Sequence, residues 1–131
     1  MSLFIDHVVI TVADIDKSIH FYSNVLGMEL QEFLSTTDNA KRKSLKFGTQ
    51  KINLHEASKP FKPHARNPLP GTMDICFLSK INVNDWIKIF DKFDIKIEDG
   101  PSIKTGANGP IKSIYVRDPD KNLIEISNQH Y

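Results

Sequence analysis

The chain has 131 residues, 40% of them hydrophobic and 25% charged, the make-up of an ordinary globular protein long enough to bury a core without disulfide staples. Seventeen basic residues face sixteen acidic ones for a formal charge of +1, so no field exists to gather nucleic acid or an anionic membrane surface. Cys76 is the single cysteine, which excludes an internal disulfide, and no apolar window is long enough to span a bilayer, so a cytoplasmic protein is expected.

Phe4 to Val12 clusters Ile5, Val8, Val9, Ile10 and Val12 and predicts a buried strand, with His7, Val9 and Thr11 on one face. Asp14 or Asp16 caps a helix that runs to about Leu26, its stripe made of Ile15, Ile19, Tyr22, Val25 and Leu26 and its stop set by Gly27. Extended structure resumes from Met28 to Leu34, and a polar tip follows from Ser35 to Lys43. Ser44 to Phe47 and Lys51 to Glu56 then form a hairpin around Gly48-Thr49-Gln50, with Asn53 and His55 on one face. Ala57 to Gly71 holds four prolines and reads as a connector, which leaves His64 exposed.

The same order returns in the second half. Thr72 to Leu78 predicts a strand with Cys76 in an apolar run, and Asn82 or Asn84 caps a helix whose Trp86, Phe90 and Phe93 lie at helical spacing. A short strand is expected at Ile95 to Ile97. The glycine- and proline-rich stretch from Asp99 to Pro110 then predicts a loop, a lid or wall over a site. Ile111 to Arg117 and Leu123 to Ser127 close the chain as a hairpin across Asp118-Pro119-Asp120.

Glu125 stands out in that last strand, because a carboxylate between Ile124 and Ile126 needs solvent or a compensating partner. A shift of about seventy positions lays the first half on the second. Asp6-His7-Val8-Val9-Ile10 falls on Met73-Asp74-Ile75-Cys76-Phe77, and Lys51-Ile52-Asn53-Leu54-His55 falls on Lys121-Asn122-Leu123-Ile124-Glu125. On this match His7, His55, Asp74 and Glu125 are equivalent positions, all of metal-ligand type. Asn53 shares the face of His55, so a two-residue change of register gives it the same position, and Glu56 is the third choice.

A duplicated strand-helix-three-strand unit with these motifs resembles the vicinal oxygen chelate superfamily of glyoxalases, bleomycin-resistance proteins and extradiol dioxygenases. The residues that carry the resemblance are Asp6-His7-Val8-Val9-Ile10-Thr11-Val12, Phe21-Tyr22-x-x-Val25-Leu26-Gly27-Met28 and Arg117-Asp118-Pro119-Asp120-x-Asn122-Leu123-Ile124-Glu125. Gln50-Lys51-Ile52-Asn53-Leu54-His55-Glu56 and Gly100-Pro101-x-x-x-Thr105-Gly106-Ala107 are similar to the branch called glyoxalase domain-containing protein five.

The resemblance implies an α+β fold in a single domain, with two βαβββ modules (about 3–57 and 72–128, linker 58–71) whose curved mixed sheets enclose a cleft. It implies a divalent metal ion, Zn, Ni, Mn or Fe(II), held by His7, His55, Asp74 and Glu125, with Glu125 also the catalytic base. Aspartate at position 74 departs from the histidine usual there and favours harder ions. The implied activity is a metal-dependent lyase or isomerase on a small oxo or hydroxy compound. Its alternatives are an extradiol-type dioxygenase using His7, Asp74 and Glu125, or a homodimeric small-molecule binding protein of the bleomycin-resistance kind. Lys104 and Arg117 are candidate anion contacts, and Tyr115 belongs either to the cleft or to the core.

Overall fold

The computed structural model describes residues 1–131, which divide into two compact units at Gly71 and Thr72. Each unit is a strand, a helix and three strands, and each forms its own four-stranded mixed sheet, so the fold is α+β.

The N-terminal unit runs β1 (His7–Val12), α1 (Ile15–Ile19), a π-helical turn (His20–Val25), β2 (Glu29–Leu34), β3 (Lys41–Phe47) and β4 (Gln50–Glu56), in the sheet order β1-β4-β3-β2. The Asp14 carboxylate accepts from the amides of Asp16 and Lys17, both at 3.1 Å, and so satisfies two free N–H groups at the start of α1. The buried stripe is Ser18, Phe21, Tyr22 and Val25, spaced i, i+3, i+4 and i+7, and Ile19 and Leu26 are half-buried, so the buried face is turned by one residue from the expected stripe. Gly27 ends it at φ +84°, in the left-handed region. β1 lies parallel to β4, and β3 is antiparallel to both of its neighbours. Ile10, Val12, Leu45, Ile52 and Leu54 are buried on the sheet face opposite His7, Asn53 and His55.

The C-terminal unit runs β5 (Asp74–Leu78), α2 (Val83–Lys92), β6 (Asp99–Gly106), β7 (Gly109–Arg117) and β8 (Leu123–Gln129), in the order β5-β8-β7-β6. Asn82 caps α2 by accepting from Asn84 N at 2.8 Å, and the helix lays Val83, Trp86 and Phe90 against the sheet. Ile124 and Ile126 of β8 are buried, while Glu125, Ser127 and Gln129 point to the other face.

One expectation fails in this unit. Ile95 to Ile97 forms no strand; the strand is the segment expected as a loop, paired with β7 from Asp99 to Gly106. Its glycine and proline are tolerated because β6 is the sheet edge, where a missing N–H costs no ladder bond, and because the register slips between Asp99 and Ser102. Gly100 is required at that slip. It has φ +96°, and a Cβ there would run into the Ser113 carbonyl oxygen.

The Asp118–Asn122 turn ties the first and last strands of this unit together. Asp118 Oδ1 accepts from the amides of Asp120 and Asn122 at 2.9 Å, and Asn122 Nδ2 donates to Asp118 Oδ2 at 2.8 Å. Asn122 Oδ1 in turn accepts from Met73 N at 2.8 Å and so holds the chain just before β5 beside the start of β8. Asp118 and Asn122 are both 2% exposed, so these bonds replace hydration the groups have lost. No helix is long and apolar enough to cross a membrane.

Candidate functional site

The open face of the C-terminal sheet carries a cavity of about 530 Å³. Strand register explains its lining. Cys76, Glu125 and Tyr115 face one another across β5, β8 and β7 in one row, Leu78 and Ser127 pair in the next, and Gln129, Ile111 and Lys104 form a third. The β6–β7 turn, Gly106 to Asn108, closes one end, so the segment expected as a wall does line the cavity, as a hairpin.

Within this face Glu125 is held by hydroxyls. Ser113 Oγ donates to Glu125 Oε2 at 2.6 Å, Ser127 Oγ lies 3.4 Å from the same oxygen and 2.7 Å from Ser113 Oγ, and Cys76 Sγ lies 3.3 Å from Ser127 Oγ. Both serines are fully buried. One carboxylate oxygen is thus fixed by a short, charge-assisted bond from Ser113, with Ser127 as a long second contact. Burial pushes the Tyr115 hydroxyl up to about 12, helped by the charge and hydrogen bond of Glu125, so the phenol is a neutral donor at physiological pH. Burial also raises the Cys76 thiol, with the charges of Glu125 and Asp74 acting in the same direction, so it is not a ready thiolate. Lys104 Nζ lies 5.5 Å from the centre of the Tyr115 ring.

Of the residues singled out by sequence, Asp74 and Glu125 share this face. Glu125 is opposite Cys76, and Asp74 opens the same strand two residues earlier, an offset of about 7 Å along the strand. In the N-terminal unit His7 pairs with Lys51 and Thr11 with His55, so the two histidines share a face but stand four ladder positions apart, about 13 Å. One ion cannot bridge them within that sheet. His7 is exposed and its Nδ1 lies 2.8 Å from Asp6 Oδ2; His55 is half-buried with its ring centre 4.2 Å from that of Phe61.

The register also reassigns the repeat. Val9 faces Asn53 as Cys76 faces Glu125, so Asn53 is the structural counterpart of Glu125, and His55 that of Ser127. The sequence match slips by two because it sets Lys51, a strand residue, on Lys121, which sits in the Asp118–Asn122 turn at φ +67°. The β3–β4 turn spans only Gly48 and Thr49, and the longer second turn absorbs the difference. Ser113 and Ser127, which hold Glu125, were not singled out by sequence. Their signal is period-2 spacing on the face of Glu125, which small hydroxyl residues among isoleucines do not advertise.

A family model described as the Glyoxalase/Bleomycin resistance protein/Dioxygenase superfamily matches residues 4–126. The chain belongs to that superfamily. It is 49% identical to "Virulence protein STM3117" of Salmonella typhimurium over 94% of this chain and 82% of that one, and 49% identical to "Glyoxalase domain-containing protein RDO1" of Mycosarcoma maydis over 94% and 66%. Among solved structures, the integron cassette protein VCH_CASS1 from the mobile metagenome of V. cholerae is similar at a TM-score of 0.91 and 42% identity, covering 99% of this chain and 98% of that one. Glyoxalase-superfamily proteins usually bind a divalent metal ion. In neither unit do three His, Cys, Asp or Glu side chains converge as a metal group. The histidine pair does not fit a shared ion within its unit, whereas Asp74 and Glu125 offer two carboxylates on one face, a donor type suited to a hard divalent cation.

Proposed function

We propose that this superfamily member is a glyoxalase-like lyase or isomerase that moves a proton next to the carbonyl of a small oxo or hydroxy compound seated in the C-terminal cavity. The observation that carries this reading is the Glu125 carboxylate on the wall of a cavity of about 530 Å³, with one oxygen fixed by Ser113 and Ser127. The other oxygen is the base, taking the proton from the carbon beside the carbonyl and returning it to the neighbouring carbon. Tyr115, neutral and hydrogen-bonded to Glu125, turns its single O–H from that carboxylate to the oxygen on which negative charge develops once substrate is seated. Leu78 and Ile111 exclude water from the substrate's apolar part, and Lys104 sits where an anionic substituent is favoured. Asp74 and Glu125 are the residues of this unit that would hold a divalent ion, which when bound polarises the substrate carbonyl as a Lewis acid.

The test is proton exchange into D2O from the carbon beside the carbonyl of small hydroxy ketones and of the methylglyoxal–glutathione adduct, followed by NMR with native protein and with Glu125→Gln. Exchange that is faster than in buffer and lost in the variant supports the reading. Exchange that is equal in the two proteins ends it.

A second reading, capture of a small molecule without turnover, is favoured by the lack of any three-ligand group in either unit. Saturable binding in the cavity with no exchange in any substrate tried selects it.

A further inference from the structure

The N-terminal unit holds a separate hollow of about 300 Å³, at the start of β3 beside the start of α1 and the linker. Three successive residues of β3, Lys41, Arg42 and Lys43, reach it together with Lys59, against the single carboxylate of Glu56. A strand alternates its side chains between faces, so three neighbours line one hollow only because it lies at the strand's start. Leu54 and Phe61 supply apolar wall.

Part of the positive charge is spoken for. Arg42 Nη2 donates to Asp38 at 2.7 Å, Lys59 Nζ lies 3.9 Å from Glu56, and Lys43 Nζ lies 4.0 Å from Glu32. The two lysine contacts are at the outer reach of an ion pair, and exposed pairs of that kind hold their partners weakly.

Arg42 is different. Its guanidinium carbon stands 3.7 Å from the centre of the Phe61 ring, the side chain is 14% exposed, and its buried Nε has no acceptor in the protein. That Nε is too buried to meet a ligand in the hollow, but the guanidinium, clamped between a ring and a carboxylate, is held in one orientation, so a planar oxyanion meets its accessible Nη edge without a further loss of side-chain freedom.

We propose that this hollow is a second ligand site, one that takes a small organic carboxylate with its charge on Arg42 and Lys43 and its compact body against Phe61 and Leu54. The volume lies at the lower end for ligand sites, which limits the body to a single small ring or a short chain. The site uses none of the residues of the C-terminal cavity, so it stands whatever reaction that cavity performs.

The test titrates the full-length 15N-labelled chain with benzoate and with its neutral counterpart benzamide at constant ionic strength, following amide shifts. Benzoate is expected to give saturable shifts at residues 40–43, 59 and 61, with benzamide at least tenfold weaker. Lys43→Gln and Phe61→Ala should each weaken benzoate several-fold, and Glu125→Gln should leave its affinity unchanged. Arg42→Gln also breaks the Asp38 pair and so risks the fold, which is why Lys43 carries the test. Benzamide binding as tightly as benzoate, shifts that never saturate, or shifts confined to residues of the C-terminal cavity would overturn the proposal.

Discussion

The two units share one strand order but put different chemistry in the same row of their open faces. Across the N-terminal sheet the central row reads Val9, Asn53, Ser44 and Gln31; across the C-terminal sheet it reads Cys76, Glu125, Tyr115 and Asp99. The amide of Asn53 and the hydroxyl of Ser44 are buried, and neither Asn53 Oδ1 nor Ser44 Oγ has a hydrogen-bond partner in the protein. Glu125, by contrast, is gripped by Ser113 and Ser127. The scaffold therefore does not dictate the chemistry. A neutral row and an acidic row fit the same four strands, and the proposed proton transfer is assigned to the acidic one.

The sharpest way to break that contrast is to exchange the central residues. Glu125→Gln, which keeps shape and removes the proposed base, is expected to lower the proton-exchange rate by about a hundredfold or more. Asn53→Ala, at the matching position, should change it less than threefold. Equal losses in the two variants would mean that the rows act as one and that the contrast drawn from register is empty.

A second contrast concerns the backbone. Gly100 and Gly48 both have positive φ, but a Cβ at Gly100 meets the Ser113 backbone whereas one at Gly48 meets nothing within 4 Å. Gly100→Ala is expected to cost about 3 kcal/mol or more in urea unfolding, from strain together with displacement of β7. Gly48→Ala should cost about 1 kcal/mol, from strain alone. The Asp118–Asn122 turn has no counterpart in the two-residue turn of the first unit. Asn122→Ala removes the side-chain bonds to Met73 N and Asp118, and a loss of about 2 kcal/mol is expected by the same measurement. A loss below half of that would show that the turn holds without its clamp.

Most of the architecture could be read from hydrophobic periodicity, since β1, β4, β8 and α2 each bury the apolar face that their spacing predicts. Three features could not. Ile95 and Ile97 look like a strand because local apolar alternation carries no information on whether a partner strand is within reach, while β6 hides behind a glycine and a proline that only an edge position excuses. The burial of Ser18 in place of Ile19 keeps regular helical spacing with Phe21, Tyr22 and Val25, but a serine does not mark a buried face as an isoleucine does. The candidate site was half legible. Glu125 declares itself as a carboxylate between isoleucines, but deciding between Asn53 and His55 as its counterpart needs the ladder, because alternate residues of one strand share a face and the two sequence matches differ only by where a turn absorbs two residues.

His55 and its counterpart Ser127 give the subtlest contrast, since only one of them titrates. Burial holds the His55 imidazole below its ordinary value of 6.5, and the charges of Arg42 and His64 lower it further, so the folded chain keeps it neutral against Phe61. In the unfolded chain the same imidazole takes up a proton near 6.5. Below that pH the unfolded state binds more protons than the folded one, so this contribution to stability is full above 6.5 and is lost as the pH falls toward the depressed folded value. Comparing urea midpoints at pH 7.5 and 5.5 should therefore reveal a drop in the native chain that is smaller in His55→Gln, the difference between the two chains being the contribution of this residue. An unchanged drop in the variant would mean that the stacked imidazole against Phe61 does not set the acid limit of the N-terminal unit, and would leave the carboxylates as its source.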